Sequence, residues 1–419
     1  MGKNNYLRLN YKPDYKNELI ATYYAEAKLS LGQIGIKVAE ESSIGTWTKL
    51  TTLSPRIFER LAARVFYIDP KKGIFKIAYP LALFEPKSIP QLLSSLAGNI
   101  FSMKVVKNLR LEDIEFPEKY INRYPGPKWG IEGIRKITGI YHRPLIGCIM
   151  KPKLGLTSEE NARLAAEVFK NGVDVIKDDE NLTDLSFNRF KDRVKRVLAF
   201  KKQVEKQTGK KKIYVFNVTA PTETMLKRAE LVKRAGGRCV MVDIITAGWA
   251  GVQSLRNQDL GLIIHGHRAG HSAFTRNKKH GISMLVLANL ARLAGIDQFH
   301  TGTVVGKMEG EEQEVCQIND LLKEDWEGFD RLKENWSKLR PVLPIASGGL
   351  HPGLVPKLIK ILGRDLIINF GGGIHGHPQG SAAGARAARQ AVEAAVKEIP
   401  LKIYSQSHQE LKIALKHWR

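Results

Sequence analysis

The stretch GVDVIKDDEN, residues 172–181, carries a lysine and three consecutive carboxylates directly after a short apolar run. If that run is a strand, Lys177 and Asp179 point to the same side of it, and Glu180 can join them as the chain turns out of the sheet. The run is one of a series. LIGCIM (145–150), VDVI (173–176), IYVFNV (213–218), CVMVDI (239–244), LIIHGH (262–267), DQFH (297–300), VLPIAS (342–347) and LIINF (366–370) each end in, or run into, polar or glycine residues. Helix-like stretches lie between them. Thr157 and Glu160 have capping-box spacing before ENARLAAEVFKNG, and ISMLVLANLARLAG has helical apolar spacing that stops at Gly295. Strands alternating with helices predict a parallel sheet, and eight such units over roughly 250 residues predict a closed (β/α)8 TIM barrel in an α/β chain.

Upstream the pattern is different. ELIATYYAEAK (18–28) and GIFKIAYPLALF (73–84) read as strands and SLGQIGIKVAEE (30–41) as a helix. Ser88 can cap IPQLLSSLAGNI, with Pro90 in the first turn where its missing N–H leaves nothing unpaired, and a last strand follows in KVVKNLRLEDIEF. Three of the four strands of a β-α-β-β-α-β, ferredoxin-like α+β domain are read here, in that order. The Gly- and Pro-rich segment NRYPGPKWGIEG reads as the linker, which predicts an N-terminal domain over 1–125 and a catalytic barrel over 126–419.

At 419 residues and 43% hydrophobic content the chain can bury two cores, one of them large. An excess of 66 Lys and Arg over 42 Asp and Glu, a net charge of +24, favours an anionic partner without naming it. Cys148, Cys239 and Cys316 are odd in number and far apart, so neither a disulfide framework nor a zinc cluster is expected, and a reducing cytoplasm fits. The sequence has no apolar run of the ~18 residues a membrane span needs, and MGKNNYLRLNYKPDYKNEL lacks the apolar core of a signal peptide. The lysine-rich run KKQVEKQTGKKK (201–212) lacks the aromatic interleaving of a nucleic-acid patch and reads as a solvated helix face.

In a barrel of this kind the chemistry collects at the C-terminal ends of the strands. Lys151 and Lys153 follow the first strand, the opening stretch ends the second, and His265, His267 and Arg268 end the fifth. His300 ends the sixth, Ser347-Gly348-Gly349 the seventh, and Gly371-Gly372-Gly373 follow the eighth. Two readings of each are open. The carboxylates and lysine form either a solvated ion-pair cluster or a cation site. Carboxylate oxygens suit Mg²⁺, and a lysine that had reacted with CO₂ would add a carbamate oxygen to them. The glycine clusters are either plain turns or backbone N–H cradles for a phosphate. Arg268 and His300 could grip a second phosphate, which suggests a substrate phosphorylated at both ends. HGHRAGH can serve zinc or proton transfer. TGTVVGKMEG (301–310), with three glycines around Lys307, is a surface loop or a hinged lid.

Taken together, KPKLGL (151–156), GVDVIKDDEN, HGHRAGH (265–271), HTGTVVGKMEG (300–310), ASGGLHPG (346–353) and FGGGIHGHP (370–378) resemble the large subunit of ribulose-1,5-bisphosphate carboxylase/oxygenase, RuBisCO. ESSIGTWT (41–48) and GNIF (98–101) extend the resemblance over nearly the whole chain. GIEGIRK (130–136) and LKIALKHWR (411–419) make it most similar to archaeal-type form III enzymes, which lack small subunits.

The resemblance implies Mg²⁺-dependent carboxylation of ribulose-1,5-bisphosphate by CO₂, with O₂ as a competing substrate. It implies that Lys177, as a carbamate, holds the metal with Asp179 and Glu180, supported by Lys153. Lys307 would stabilise the new carboxylate and Glu309 orient that lysine, while Lys151 would protonate the departing carbanion and His267 serve as a further acid/base group. Arg268 and His300 would hold one phosphate, Gly349, Gly371 and Gly372 the other, and Ser347 a sugar hydroxyl. Glu41, Thr46, Trp47 and Asn99 would complete the active site of a neighbouring subunit, which makes the minimum unit a homodimer, alone or in a ring of dimers. In archaeal-type relatives the substrate often comes from nucleotide salvage. Ile149 and Gly270 depart from the threonine and methionine of other relatives. A RuBisCO-like enolase or isomerase is the alternative within the family; Lys307, Lys151, Asn99 and Glu41 argue against it. An amidohydrolase would carry its H-x-H on the first strand rather than the fifth, and a basic nucleic-acid-binding protein is the remote alternative.

Overall fold

The computed structural model describes residues 6–305, 312–324, 336 and 338–418. Lys307 and Glu309 lie outside the described residues. The chain divides into two compact units, one of residues 1–126, 270–294 and 324–339, the other of residues 127–269, 295–323 and 340–419.

The first unit is built on β1 (Glu18–Glu26), β2 (Arg64–Asp69), β3 (Ile74–Pro80) and β4 (Asn108–Glu115), with β1 antiparallel to both β3 and β4 and β2 antiparallel to β3. The order β4-β1-β3-β2 is the ferredoxin-like arrangement. Ser30 and Gln33 form a capping box that starts the helix Leu31–Glu41, satisfying the free N–H groups at its first turn. Strand β3 stops at Pro80, short of the predicted residue 84, because Leu81–Leu83 turn into a 3₁₀ helix. The helix Pro55–Leu61 and strand β2 lie between the first helix and β3, and the helix Ile89–Leu96, capped by Ser88, lies between β3 and β4.

The second unit carries β5 (Leu145–Ile149), β6 (Val175–Lys177), β7 (Ile213–Asn217), β8 (Cys239–Asp243) and β9 (Ile263–His267). The next strand, β10 (Gly281–Ile282), belongs to the first unit, where it pairs in parallel with β4 as a fifth strand. The barrel resumes with β11 (Gln298–His300), β12 (Leu343–Ser347) and β13 (Ile367–Phe370), and β13 pairs with β5 to close it. All eight apolar runs are barrel strands. Leu145, Val175, Ile213, Cys239, Ile263, Leu343 and Ile367, from the starts of seven strands, form one buried cluster with Ile134 of the helix Gly130–Thr138. That helix starts inside the predicted linker and packs over the N-terminal end of the barrel. Truncating one of these buried aliphatics to alanine removes about 2–5 kcal/mol of stability.

Carboxylates fasten the strand starts. Asp174 accepts two bonds from Arg143, at 2.6 and 2.9 Å, and one from the Ile146 N–H. Asp297 does the same for Arg256, Trp129 N–H and Ile264 N–H. With the N-terminal end filled and pinned, the polar strand ends are left at the opposite, C-terminal end.

Candidate active site

Strand β6 is only three residues long, and its last residue is Lys177. The lysine side chain is 1% exposed. Its Nζ donates to the Asp178 carbonyl at 2.9 Å and lies 3.5 Å from Met241 Sδ and 3.7 Å from Glu180 Oε2. Burial pushes its pKa down, against the opposing pull of Glu180, Asp179 and Asp178. A neutral amine is therefore easier to form here than on a surface lysine.

The three carboxylates after Lys177 do different things. Asp179 accepts from Lys151 Nζ at 2.6 Å and from the Asn181 backbone and side chain. Burial alone would raise its pKa, but the hydrogen bonds and charge of Lys151, with Asn181, bring it below the ordinary value. Glu180 has Lys153 Nζ at 4.0 Å and His267 Nε2 at 3.7 Å. Asp178 turns the other way and is fully buried. It accepts from Arg193 Nε at 3.1 Å, Tyr214 Oη at 2.6 Å and the Asn217 N–H at 2.9 Å. Alternation along the strand thus sends Lys177 and Asp179 to one side and anchors the strand end through Asp178 on the other. Asn217, at the end of β7, also donates to the Glu180 carbonyl at 2.9 Å.

His267 Nδ1 accepts from the Ala269 N–H at 3.2 Å, which places its proton on Nε2, facing Glu180. Burial and then Lys177 lower its pKa, so the ring is neutral. Asp243, at the end of β8, lies 3.7 Å from His267 Nδ1, and its Oδ1 is buried with no hydrogen-bond partner. Arg268 follows β9; burial lowers its pKa to about 10, which still leaves it a cation at neutral pH. A Cβ on Gly302 would sit 2.8 Å from Arg268 Nη2, and Gly302 has φ +101°, so glycine is required there both for space and for backbone conformation.

His300 is buried, with Nε2 2.9 Å from His265 Nε2 and Nδ1 2.8 Å from Ser347 Oγ. Gly348 and Gly349, with φ of +123° and +69°, turn the chain after Ser347. Gly371 precedes the short helix Gly372–His375, and a Cβ on Gly372 would meet nothing within 4 Å, so its backbone is open to a ligand. Of the remaining predicted residues, Glu41, Thr46, Trp47 and Asn99 all lie in the first unit, and Trp47 is 86% exposed.

Among the described residues no three His, Cys, Asp or Glu side chains come together as a metal site. Asp179 and Glu180 supply two hard oxygen donors, so a cation needs a further anionic oxygen, and the buried amine of Lys177 is the group beside them that can be converted to one. The residues present fit Mg²⁺ on that condition. Asn217 and Asp243 have places in this geometry that the sequence reading did not assign, whereas Asp178 and His265 were named there only within the carboxylate cluster and the HGHRAGH motif, without roles of their own. Asp243 carried a usable signal, since a carboxylate ending an apolar run is the same pattern that marked Asp179.

Comparison with known proteins gives the family. Residues 130–418 match the ribulose bisphosphate carboxylase large chain catalytic domain, and residues 5–120 its N-terminal domain. A ribulose bisphosphate carboxylase of Pyrococcus abyssi is 49% identical over 99% of this chain and 96% of its own length. One of Methanocaldococcus jannaschii is 46% identical over 99% of this chain and 100% of its own. The crystal structure of a sulfate complex of octameric RuBisCO from Pyrococcus horikoshii superposes with a TM-score of 0.94 at 47% identity, covering 100% of this chain and 97% of that one. A dimeric archaeal RuBisCO from Hyperthermus butylicus gives 0.93 at 44% identity, covering 99% of each. A barrel whose second strand ends in a buried lysine beside two carboxylates, matched end to end by these relatives, belongs to the ribulose bisphosphate carboxylase large-chain family.

Proposed function

We propose that the protein carboxylates ribulose-1,5-bisphosphate with CO₂ and water to give two molecules of 3-phosphoglycerate, with O₂ competing for the same intermediate. The observation that carries this is the buried Lys177 amine beside Asp179 and Glu180 in a chain whose relatives are named ribulose bisphosphate carboxylases.

The neutral Lys177 amine attacks CO₂, forming an N–C bond and releasing a proton to solvent, and the resulting carbamate, with Asp179 and Glu180, would hold Mg²⁺. Lys153 balances the charge of Glu180 from the solvent side. When bound, the metal would polarise the C2 carbonyl and C3 hydroxyl of the sugar. Lys177, as carbamate, accepts the C3 proton to give the enediolate. CO₂ bonds to C2 and Lys307 neutralises the new carboxylate, with Glu309 orienting Lys307. His267, with its Nε2 proton toward Glu180, moves protons at C3 as water adds there. When the C2–C3 bond breaks, Lys151 delivers the proton that the departing carbanion takes up. Arg268 takes one phosphate with His300 lining the same pocket, Gly349, Gly371 and Gly372 offer N–H groups to the other, and Ser347 meets a sugar hydroxyl.

Glu41, Thr46, Trp47 and Asn99 complete the site of a neighbouring protomer, so the working unit is a homodimer, alone or in a ring of dimers. The exposure of Trp47 supports this, since an apolar side chain left that open is suited to a partner. Among the described residues no helix is long and apolar enough to cross a membrane. Three free cysteines, two of them buried, suit a reducing cytoplasm. Supply of the substrate by nucleotide salvage rests on the family resemblance. The test is incubation of purified protein with Mg²⁺, ribulose-1,5-bisphosphate and radiolabelled bicarbonate. Label is expected in acid-stable product; its absence, with folded protein and authentic substrate, overturns the proposal.

A further inference from the structure

We propose that Gln298 and His265 set the direction of a buried hydrogen-bond chain ending on Ser347, and that this direction makes the Ser347 hydroxyl a donor toward the substrate. The inference rests on the carboxylase reading only in its last step, the contact between Ser347 and the sugar.

The chain crosses three adjacent barrel strands, β9, β11 and β12. Register places Gln298 of β11 opposite His265 of β9. The Gln298 amide reaches His265 Nδ1 at 3.0 Å, His265 Nε2 reaches His300 Nε2 at 2.9 Å, and His300 Nδ1 reaches Ser347 Oγ at 2.8 Å. Gln298, His265 and His300 are 0%, 1% and 2% exposed, so water does not compete for these bonds. Burial holds both imidazoles well below the ordinary histidine range, so each ring is neutral. A neutral imidazole has one N–H and one lone pair. Two of them joined Nε2 to Nε2 therefore carry hydrogen bonds in one sense along the whole chain, and whatever sits at the far end decides which.

That group is Gln298. With Oε1 toward His265, Gln298 Nε2 is buried with no partner. Turned over, the amide keeps its shape and donates one N–H to His265 Nδ1, so that two unpartnered N–H groups are exchanged for one N–H and one carbonyl oxygen. An orphaned buried N–H is rarer in folded proteins than an under-satisfied carbonyl, which favours the second orientation. The sense follows: Gln298 donates to His265 Nδ1, His265 Nε2–H to His300 Nε2, and His300 Nδ1–H to Ser347 Oγ. Ser347 is then an acceptor on its buried side, and its own proton is free for an acceptor oxygen in the barrel mouth. His300 has no N–H left over, so the phosphate charge on that side falls to Arg268. Gln298 and His265 touch no substrate and are positioning residues.

The direct test is neutron diffraction from deuterium-exchanged crystals of the protein without substrate. Deuterium is expected on His265 Nε2 and His300 Nδ1; deuterium on His265 Nδ1 and His300 Nε2, or on both nitrogens of either ring, overturns the proposal. The kinetic test is Gln298→Glu, assayed at a pH where its carboxyl is ionised, so that it accepts only and forces the opposite sense. The KM for ribulose-1,5-bisphosphate is expected to rise about tenfold with kcat little changed, the scale of one hydrogen bond to substrate. In a Ser347→Ala background the same change is expected to have no further effect, and an equal effect there overturns the proposal. If Gln298→Glu does not fold, Gln298→Met, which removes the end of the chain without adding charge, is put through the same pair of backgrounds. A wild-type protein that fixes no label refutes the carboxylase reading alone, since the deuterium positions decide the chain's direction without any turnover.

Discussion

Asp178 is the carboxylate in the sequence Lys177-Asp178-Asp179-Glu180 that faces away from the site, and replacing it with alanine tests whether it anchors the ligand strand. Both Asp178 and Arg193 are 0% exposed at the side chain. Removing the carboxylate strands a buried guanidinium charge, which on the scale of broken buried pairs costs about 3–5 kcal/mol. The Tyr214 hydroxyl and the Asn217 N–H lose their acceptor in the same step. Arg193 keeps its bonds to the Asn188 and Thr183 carbonyls, so the loss should fall within that range rather than above it. Taking a urea m-value of about 3 kcal/mol/M, the unfolding midpoint should drop by about 1–1.7 M at fixed protein concentration. Asp178→Asn, which keeps one acceptor oxygen in the same place, should lose less. Carboxylase activity should fall in both, because Lys177 and Asp179 flank the anchor. A midpoint shift corresponding to less than about 1 kcal/mol in Asp178→Ala, with m unchanged, would refute the reasoning.

Lys177→Ala should abolish turnover, whereas Lys307→Ala should spare exchange of the C3 proton with solvent and block incorporation of CO₂; equal loss of exchange and carboxylation in the second variant contradicts the role given to Lys307. Gly372 and Gly373 should separate binding from folding. A Cβ at Gly373 would lie 2.1 Å from the Leu350 carbonyl oxygen, so Gly373→Ala should lower stability by about 1–3 kcal/mol in a denaturation curve. A Cβ at Gly372 meets no protein atom within 4 Å, so Gly372→Ala should leave that curve unchanged and raise the KM for the bisphosphate. Burial lowers the pKa of Lys212 to about 8, despite the favourable charge of Asp174. The unfolded chain binds the proton up to about pH 10.4, so between pH 8 and that value it holds more protons than the folded chain and stability rises with pH. Below pH 8 the full penalty stands. The stability of wild type relative to Lys212→Met should therefore increase between pH 8 and pH 10 in paired denaturant titrations; a constant difference would show that the ammonium is not held at a penalty.

The barrel was legible because each of its strands is a compact apolar run broken by polar or glycine residues, and a run such as IYVFN leaves little else to form. Strand β2, RVFYID, was not, since its outer half is only partly buried and carries no clean alternation. Strand β10 could not have been found by pattern at all, because two residues paired with Arg110 and Leu111 leave no periodicity to read. In the site, Lys177, Asp179 and Glu180 stood out because charge at the end of a buried strand calls for compensation. The opposite orientation of Asp178 was hidden, since three adjacent carboxylates look alike until Arg193 and Tyr214 are seen behind one of them. The direction of the histidine chain lay further out of reach, because it depends on which side chains from β9, β11 and β12 meet, and those meet only once the barrel has closed.

The late arrival of β10 shapes how this protein is made. Strand β4 is complete once residue 115 has been synthesised, but the groups that finish its edge come much later: Ser283 donates to the Leu111 carbonyl at 3.0 Å, Arg110 reaches the Asn277 carbonyl at 2.5 Å, and Asn289 donates to the Ile114 carbonyl at 3.1 Å. While the ribosome is still producing the first five barrel strands, the nascent N-terminal sheet has an open edge able to pair with another chain. A fragment ending at residue 126, the natural cut for anyone wishing to study that sheet in isolation, would keep this edge open permanently and should aggregate, whereas joining residues 270–294 to it would supply the missing border.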